Sequence, residues 1–153
     1  MKNTSITVIM AAAILLVGCG KKATSSAVVT KTADTATVSK FLETDWSAHP
    51  LFPPGSALNL SEDQFKSLSA ADEQAKSGEM RTQLASLKQA AAAVVQAGRD
   101  AAAKGDTVQA RKCFMSLKQC GTALDSTNCL LLVQLVGQGF EKRADEELAK
   151  IGQ

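Results

Sequence analysis

Aromatic residues and prolines are scarce in this sequence. Among 153 residues there is no Tyr, one Trp and three Pro, and aromatics make up 4% of the chain. β-Sandwiches and barrels use aromatic and β-branched residues in their strands, whereas the apolar residues here are largely Ala, Leu and Val. The composition therefore favours an all-α fold, and the length fits a single domain.

A surplus of charge is also absent. The chain has 17 Lys and Arg residues against 15 Asp and Glu, which gives a formal net charge of +2. Proteins that bind nucleic acids carry clustered basic faces. Nucleic acid is therefore not an expected partner.

Catalytic patterns are missing as well. The chain has one His and no nucleophile elbow, phosphate-binding loop or HExxH pattern. The acidic run 145–147, which follows two basic residues, is typical of a solvated helix face. We therefore expect no catalytic residues, no metal and no cofactor, and we interpret the protein as a non-enzyme.

The N-terminus has the layout of a secretory signal peptide. Lys2 precedes an uncharged apolar run, 6–17, which is shorter than the roughly 20 residues that a membrane-spanning helix needs. The run closes on Leu16, Val17, Gly18 and Cys19. These four residues resemble the lipobox of bacterial lipoproteins, so residues 1–18 are interpreted as a lipoprotein signal peptide.

The lipobox resemblance implies a membrane anchor. Cleavage between Gly18 and Cys19 would make Cys19 the first residue, with diacylglycerol on its thiol and an acyl chain such as palmitate on its amino group. Several buried acyl chains hold a protein at a membrane without a transmembrane helix. In the family an Asp after the cysteine favours the inner membrane, and this chain has Gly20. We therefore expect the outer membrane, facing the periplasm.

Two segments separate the anchor from the main body. Residues 19–37 are rich in Ser, Thr, Ala and Lys without a periodic apolar face, which predicts a disordered, flexible tether. Residues 38–58 form a short amphipathic segment and a Pro-rich loop, and they hold Phe41, Trp46 and Phe52. These aromatics either fold back onto the helices as a lid or stay exposed as a surface for a partner.

The helical domain is predicted over 59–153, as a small antiparallel bundle. Ser61 and Gln64 form a capping box at the start of its first helix. Gly78 is expected to end that helix, and Gly105 with Asp106 separates the next two. The predicted helices cover about 62–77, 79–104, 107–121 and 129–150.

Residues 94–117 resemble a single tetratricopeptide helix-turn-helix unit. The matching residues are Gly98 at the close helix contact, the turn Gly105-Asp106, Ala110 and Phe114. Val94 replaces the family's aromatic, Thr122 replaces its closing Pro, and no second copy follows at the family's spacing. The resemblance implies a tight α-hairpin and, for function, a concave groove that binds a peptide or protein.

Three cysteines follow the anchor: Cys113, Cys120 and Cys129. Cys113 and Cys120 are too far apart on one helix, about 10.5 Å, to form a disulfide. If the last two helices turn near Asp125, Cys120 and Cys129 face each other, so we expect that disulfide and a buried Cys113 thiol. The alternative is three small core residues. The spacing lacks the close cysteine pairs of structural zinc sites.

The last predicted helix begins with an apolar surplus. Residues 129–136 are apolar almost all round, so one neighbouring helix cannot cover them. Either other segments of the chain cover the second side, or Leu131 and Leu135 form a surface for a protein partner or for self-association.

These patterns predict a lipid-anchored envelope protein that acts as a helical protein-interaction or scaffolding module. Its partners are then the membrane, through the lipid, and a protein. Two alternatives stay open. One is a structural or stress-related envelope lipoprotein without a specific ligand, and the other is an accessory subunit of an envelope machine.

Overall fold

The computed structural model describes residues 34–48, 50–125 and 128–152. Within these ranges the chain is helical and has no strand, which confirms the predicted all-α class. The predicted signal peptide 1–18, the lipid attachment residue Cys19 and the tether as far as residue 33 lie outside the described residues.

Five α-helices and one 3₁₀ helix make up the described chain. They are α1 (Thr35–Glu43), the 3₁₀ helix Ala57–Asn59, α2 (Glu62–Lys66), α3 (Ala70–Ala103), α4 (Thr107–Leu124) and α5 (Leu131–Ile151). The predicted tether 19–37 is too long by a few residues because Asp34 caps α1: its carboxylate accepts the N–H of Ala36 at 3.2 Å and the hydroxyl of Thr37 at 2.9 Å.

The predicted break at Gly78 is wrong. The capping box of Ser61 and Gln64 is present, but α2 ends at Lys66 and the next helix starts at Ala70. Ser69 caps this second helix: its hydroxyl accepts the N–H of Asp72 at 3.2 Å. Gly78 lies inside α3, and no atom lies within 4 Å of the position that a Cβ would take there. The helix continues through it because a single glycine weakens a helix by only about 1 kcal/mol.

The α3–α4 pair is an antiparallel hairpin with a tight crossing. Gly105 has a φ of +79° at the turn, and Asp106 caps α4 by accepting the N–H of Gln109 at 2.9 Å. Gly98 lies directly against the ring of Phe114, where an added Cβ would fall 2.5 Å from Cε1. The small residue at this position therefore sets how closely the two helices approach.

The α4–α5 pair is also antiparallel and crosses at two glycines. A Cβ on Gly121 would lie 2.7 Å from the carbonyl oxygen of Gly137, and one on Gly137 would lie 2.6 Å from that of Gly121. Lys118 pairs with Asp145 at 2.7 Å further along the same seam. Both helices therefore meet backbone to backbone, with α4 packed between α3 and α5.

The segment before α2 folds back onto α3. Val38, Phe41 and Trp46 are buried, with the rings of Phe41 and Trp46 4.7 Å apart. The N–H of Ala57 donates to Glu79 at 3.2 Å, and the hydroxyl of Ser56 donates to Gln83 at 2.9 Å. Of the two alternatives predicted for this segment, the structure shows the one in which it folds back onto the helices as a lid.

The first turn of α5 is completed from elsewhere in the chain. Its N-cap residue, Leu130, has no side chain that accepts a hydrogen bond from the helix. Glu62 of α2 takes that place, because its carboxylate accepts the N–H of Leu131 at 3.0 Å. One of the N–H groups that a helix start leaves unpaired is thereby satisfied.

Candidate interaction groove

A groove of about 730 Å³ runs between α3 and α5. It exists because both helices pack on α4 and leave a gap between themselves. Its lining is mostly apolar and includes Ala92 and Val95 of α3, Leu117 of α4, and Leu132, Leu135 and Phe140 of α5. The groove is open to solvent.

One wall of the groove is an exposed leucine surface on α5. Leu131, Leu132 and Leu135 are 57%, 47% and 54% exposed, whereas Val133 on the opposite side of the helix is fully buried. Leu132 and Leu135 line the groove, and Leu131 continues the same surface. The N-terminal segment and α2 therefore do not cover this apolar surplus, and both predicted residues, Leu131 and Leu135, are accessible.

Three of the four polar residues that line the groove are cationic, and the fourth is Gln96. Lys88 and Arg99 lie on α3 and Arg143 lies on α5. None of the lining residues, all of them in the described chain, is acidic. Positively charged side chains therefore stand on both walls of an otherwise mostly apolar groove.

One buried carboxylate, Glu147, lies between the two arginines. Glu147 is 3% exposed and accepts hydrogen bonds from Arg99 at 2.5 Å and from Lys150 at 3.1 Å, while Nε of Arg143 forms an ion pair with it at 3.5 Å. The hydrogen bond from Arg99 is the main cause that lowers the pKa of Glu147 to about 2. Glu146 also pairs with Arg143, so two carboxylates face three cations and the cluster keeps one positive charge.

The burial of Glu147 corrects the prediction of a fully solvated acidic face at 145–147. Asp145 and Glu146 are exposed as expected. Glu147 is turned inward because it lies where α5 passes Arg99 of α3, a neighbour 48 residues away in the sequence. No local pattern contains that contact.

Glu147→Gln is expected to lower the free energy of unfolding at pH 7 by about 2 kcal/mol, since a charge-assisted hydrogen bond contributes about that much. The folded-state pKa lies below the ordinary 4.5. The stabilisation is therefore complete above about pH 4.5 and is lost as the pH falls towards 2. Urea unfolding followed by circular dichroism, at pH 7 and near pH 2, measures the difference between the variant and the unmodified chain.

The exposed neighbour supplies the control for this prediction. Glu146→Gln removes a carboxylate that accepts from Arg143 at 3.4 Å on the exposed surface, where ion pairs contribute little, so we expect a change within about 0.5 kcal/mol. Equal losses in the two variants, or a Glu147→Gln effect that persists near pH 2, would contradict the role of Glu147.

The predicted disulfide between Cys120 and Cys129 is not formed, because Cys120 is a free, fully buried thiol. The hairpin turns later than the sequence suggested. With Lys118 opposite Asp145 and Thr122 bonded to Glu141, Cys120 lies level with 141–145 and not with Cys129. Cys120 and the free thiol Cys113 are both fully buried core residues. This burial raises the pKa of Cys120 to about 12.

The aromatic residues predicted as a partner surface lie away from the groove. Phe41 and Trp46 are 4% and 9% exposed, and the indole N–H of Trp46 donates to the carbonyl of Phe41 at 3.2 Å. Phe52 is half-buried against the core. The alternative in which these three residues form an exposed contact is therefore wrong for Phe41 and Trp46, because their rings pack on each other and on α3.

The cations of the groove were missed at the level of the sequence, although their spacing carries a signal. Lys88, Ala92, Val95 and Arg99 follow one another at intervals of four, three and four residues. This places them on one face of α3, beside the face that carries the core residues Ala91, Val94 and Gly98. A second face of small and basic residues is the feature that indicates the groove.

Two further observations bear on the site. In the described part of the chain no helix is both long and apolar enough to span a membrane. Within the same ranges no three His, Cys, Asp or Glu side chains gather as ligands for a metal ion.

Comparison with protein-family models, with curated proteins and with solved structures finds no match to this chain.

Proposed function

We propose that this protein is a lipid-anchored envelope protein whose helical domain binds a protein partner in the groove between α3 and α5. The observation that carries the proposal is the exposed leucine surface of Leu131, Leu132 and Leu135 beside an open apolar groove. Contiguous apolar surface of this kind is typical of interaction sites in soluble domains. The protein acts without catalysis.

The anchor and the groove work together in this proposal. The lipid on Cys19 holds the chain at the outer membrane, and the residues between Cys19 and α1 act as a tether in the periplasm. A tether raises the effective concentration of the domain for any partner within its reach. Binding that is weak in free solution then becomes effective at the membrane.

Site-specific photo-cross-linking in intact cells tests the interaction. A photoreactive amino acid replaces Leu135 in the full chain, and the matched control places it at Val108, which is 80% exposed but lies on α4 outside the groove. We expect one defined adduct from position 135 and none from position 108. Leu132→Asp should abolish the adduct, whereas Val108→Asp should leave it. The absence of any adduct at position 135 would contradict the proposal.

The anchor is tested separately by Cys19→Ser. Because the lipid is attached through the thiol of Cys19, this variant is expected to incorporate no labelled palmitate and to lose cleavage before residue 19. Cys129→Ser, which leaves the lipobox intact, should be labelled and processed like the unmodified chain. Lipid labelling in the Cys19→Ser variant would contradict the lipoprotein assignment.

A further inference from the structure

We propose that the occupant of the groove is an amphipathic α-helix with an apolar stripe and acidic residues at its flanks. This inference rests on the proposed function and specifies the chemistry of the partner. Charge complementarity carries it, because Lys88, Arg99 and Arg143 line an otherwise apolar groove that has no acidic residue in its lining.

The backbone chemistry of the groove favours a helix over an extended peptide. An extended peptide needs partners for its own N–H and C=O groups, usually at the edge of a sheet. The groove is walled by α3 and α5, whose backbone groups are already paired within each helix, and its uncharged lining residues are apolar except for Gln96. A helix satisfies its own backbone and can therefore lie on such a surface.

The walls have room for the backbone of a helix to approach. Ala91 and Ala92 stand on the α3 side, and Gly139 on the α5 side has no neighbouring atom within 4 Å of its added Cβ position. Leu132 and Leu135 offer larger apolar contacts above them. Small residues facing long ones are the arrangement in which helix ridges and grooves interlock.

The position of the cations specifies where the partner carries its carboxylates. Lys88 and Arg99 are eleven residues apart on α3, which corresponds to about 16 Å along the helix. Arg143 stands on the opposite wall, and its Nε lies 3.5 Å from the Glu147 carboxylate that also binds Arg99. A partner helix with two acidic positions about three turns apart matches both ends of the groove.

Nearby acidic side chains occupy only part of the donor capacity of these cations. Glu147 is buried beneath the arginines and is shared among Arg99, Arg143 and Lys150. Asp100 accepts from Gln96 at 2.8 Å, and Glu146 accepts one N–H of Arg143 at 3.4 Å; both carboxylates are exposed and lie outside the lining. The guanidinium groups keep donors that can pair with carboxylates of a ligand.

Two synthetic peptides test the proposal against the full-length chain in mild detergent. Both are helical 18-residue peptides with a leucine stripe; one carries Glu at two flanking positions eleven residues apart, and the other carries Lys there. Fluorescence anisotropy gives the two dissociation constants. We expect the Glu peptide to bind at least about tenfold tighter, since each exposed ion pair contributes a factor of a few, and the preference to shrink in high salt.

Charge reversal in the groove supplies the decisive comparison. The double variant Lys88→Glu/Arg143→Glu should invert the preference between the two peptides. Arg111→Glu/Lys112→Glu changes the net charge equally on exposed residues of α4 that do not line the groove, and it should leave the preference unchanged. Leu132→Asp should weaken both peptides, and Val108→Asp neither.

Several results would overturn the inference. Equal affinity for the two peptides, or a preference unchanged by Lys88→Glu/Arg143→Glu, would remove the acidic helix as the occupant. Displacement of the Glu peptide by a second copy of the chain, or by vesicles of anionic but not neutral phospholipid, would assign the groove to self-association or to lipid. A missing peptide preference with an intact cross-link at position 135 would overturn this inference alone, whereas a missing cross-link would overturn the proposed function.

Discussion

Gly137→Ala is expected to destabilise the helical domain by about 3 kcal/mol, the upper part of the usual range for overpacking a core. The added Cβ would lie 2.6 Å from the carbonyl oxygen of Gly121 and 2.9 Å from the backbone nitrogen of Asp125. Both obstacles are backbone atoms, so no side-chain rotation relieves them. Denaturant unfolding followed by circular dichroism measures the loss.

The same substitution two residues later should act in the opposite direction. Gly139 lies on the same helix and has no atom within 4 Å of its added Cβ position. Gly139→Ala should therefore stabilise the domain by about 0.5–1 kcal/mol, through helix propensity alone. Equal effects of the two variants would show that helix propensity, and not the close crossing of α4 and α5, governs both positions.

Phe114→Ala is expected to lower the free energy of unfolding by about 3–5 kcal/mol, the usual cost of removing a buried aromatic side chain. Phe114 is 1% exposed and is among the largest fully buried side chains of the described residues. Its ring fills the space beside Gly98 at the α3–α4 crossing. Thermal and denaturant unfolding of the single variant measure the effect.

A double-mutant cycle with Gly98 identifies the contact responsible. Gly98→Ala alone should destabilise the domain, because its Cβ would lie 2.5 Å from Cε1 of Phe114. In the Phe114→Ala background the ring is gone and the alanine fills part of the cavity, so the two losses should fall well short of additive. Additive losses would contradict the direct contact between these residues.

The parts of the fold that could be predicted from the sequence are those decided by local chemistry. The capping box at Ser61 and the Asp106 cap with Gly105 before it lie within a few residues of the helix ends that they form. The break placed at Gly78 failed for a related reason. A glycine only weakens a helix, whereas the serine cap at Ser69 provides a definite start.

The parts that could not be predicted depend on how two helices are placed relative to each other. The Cys120–Cys129 pairing assumed a turn near Asp125, but α4 continues to Leu124 and α5 starts only at Leu131. The glycine crossing then determines which residues face each other. At the site, Leu131 and Leu135 were found from their apolar run, while Arg99 and Glu147 meet only through tertiary packing.

The cap that Glu62 provides for α5 joins two helices that are synthesised at different times. The chain is synthesised from its N-terminus, so α2 exists long before Leu131, whose N–H the Glu62 carboxylate accepts. That contact spans 69 residues and forms only once α5 has been made. The first turn of the leucine-bearing wall is therefore completed only after α5 has been synthesised, well after the α2 residue that caps it.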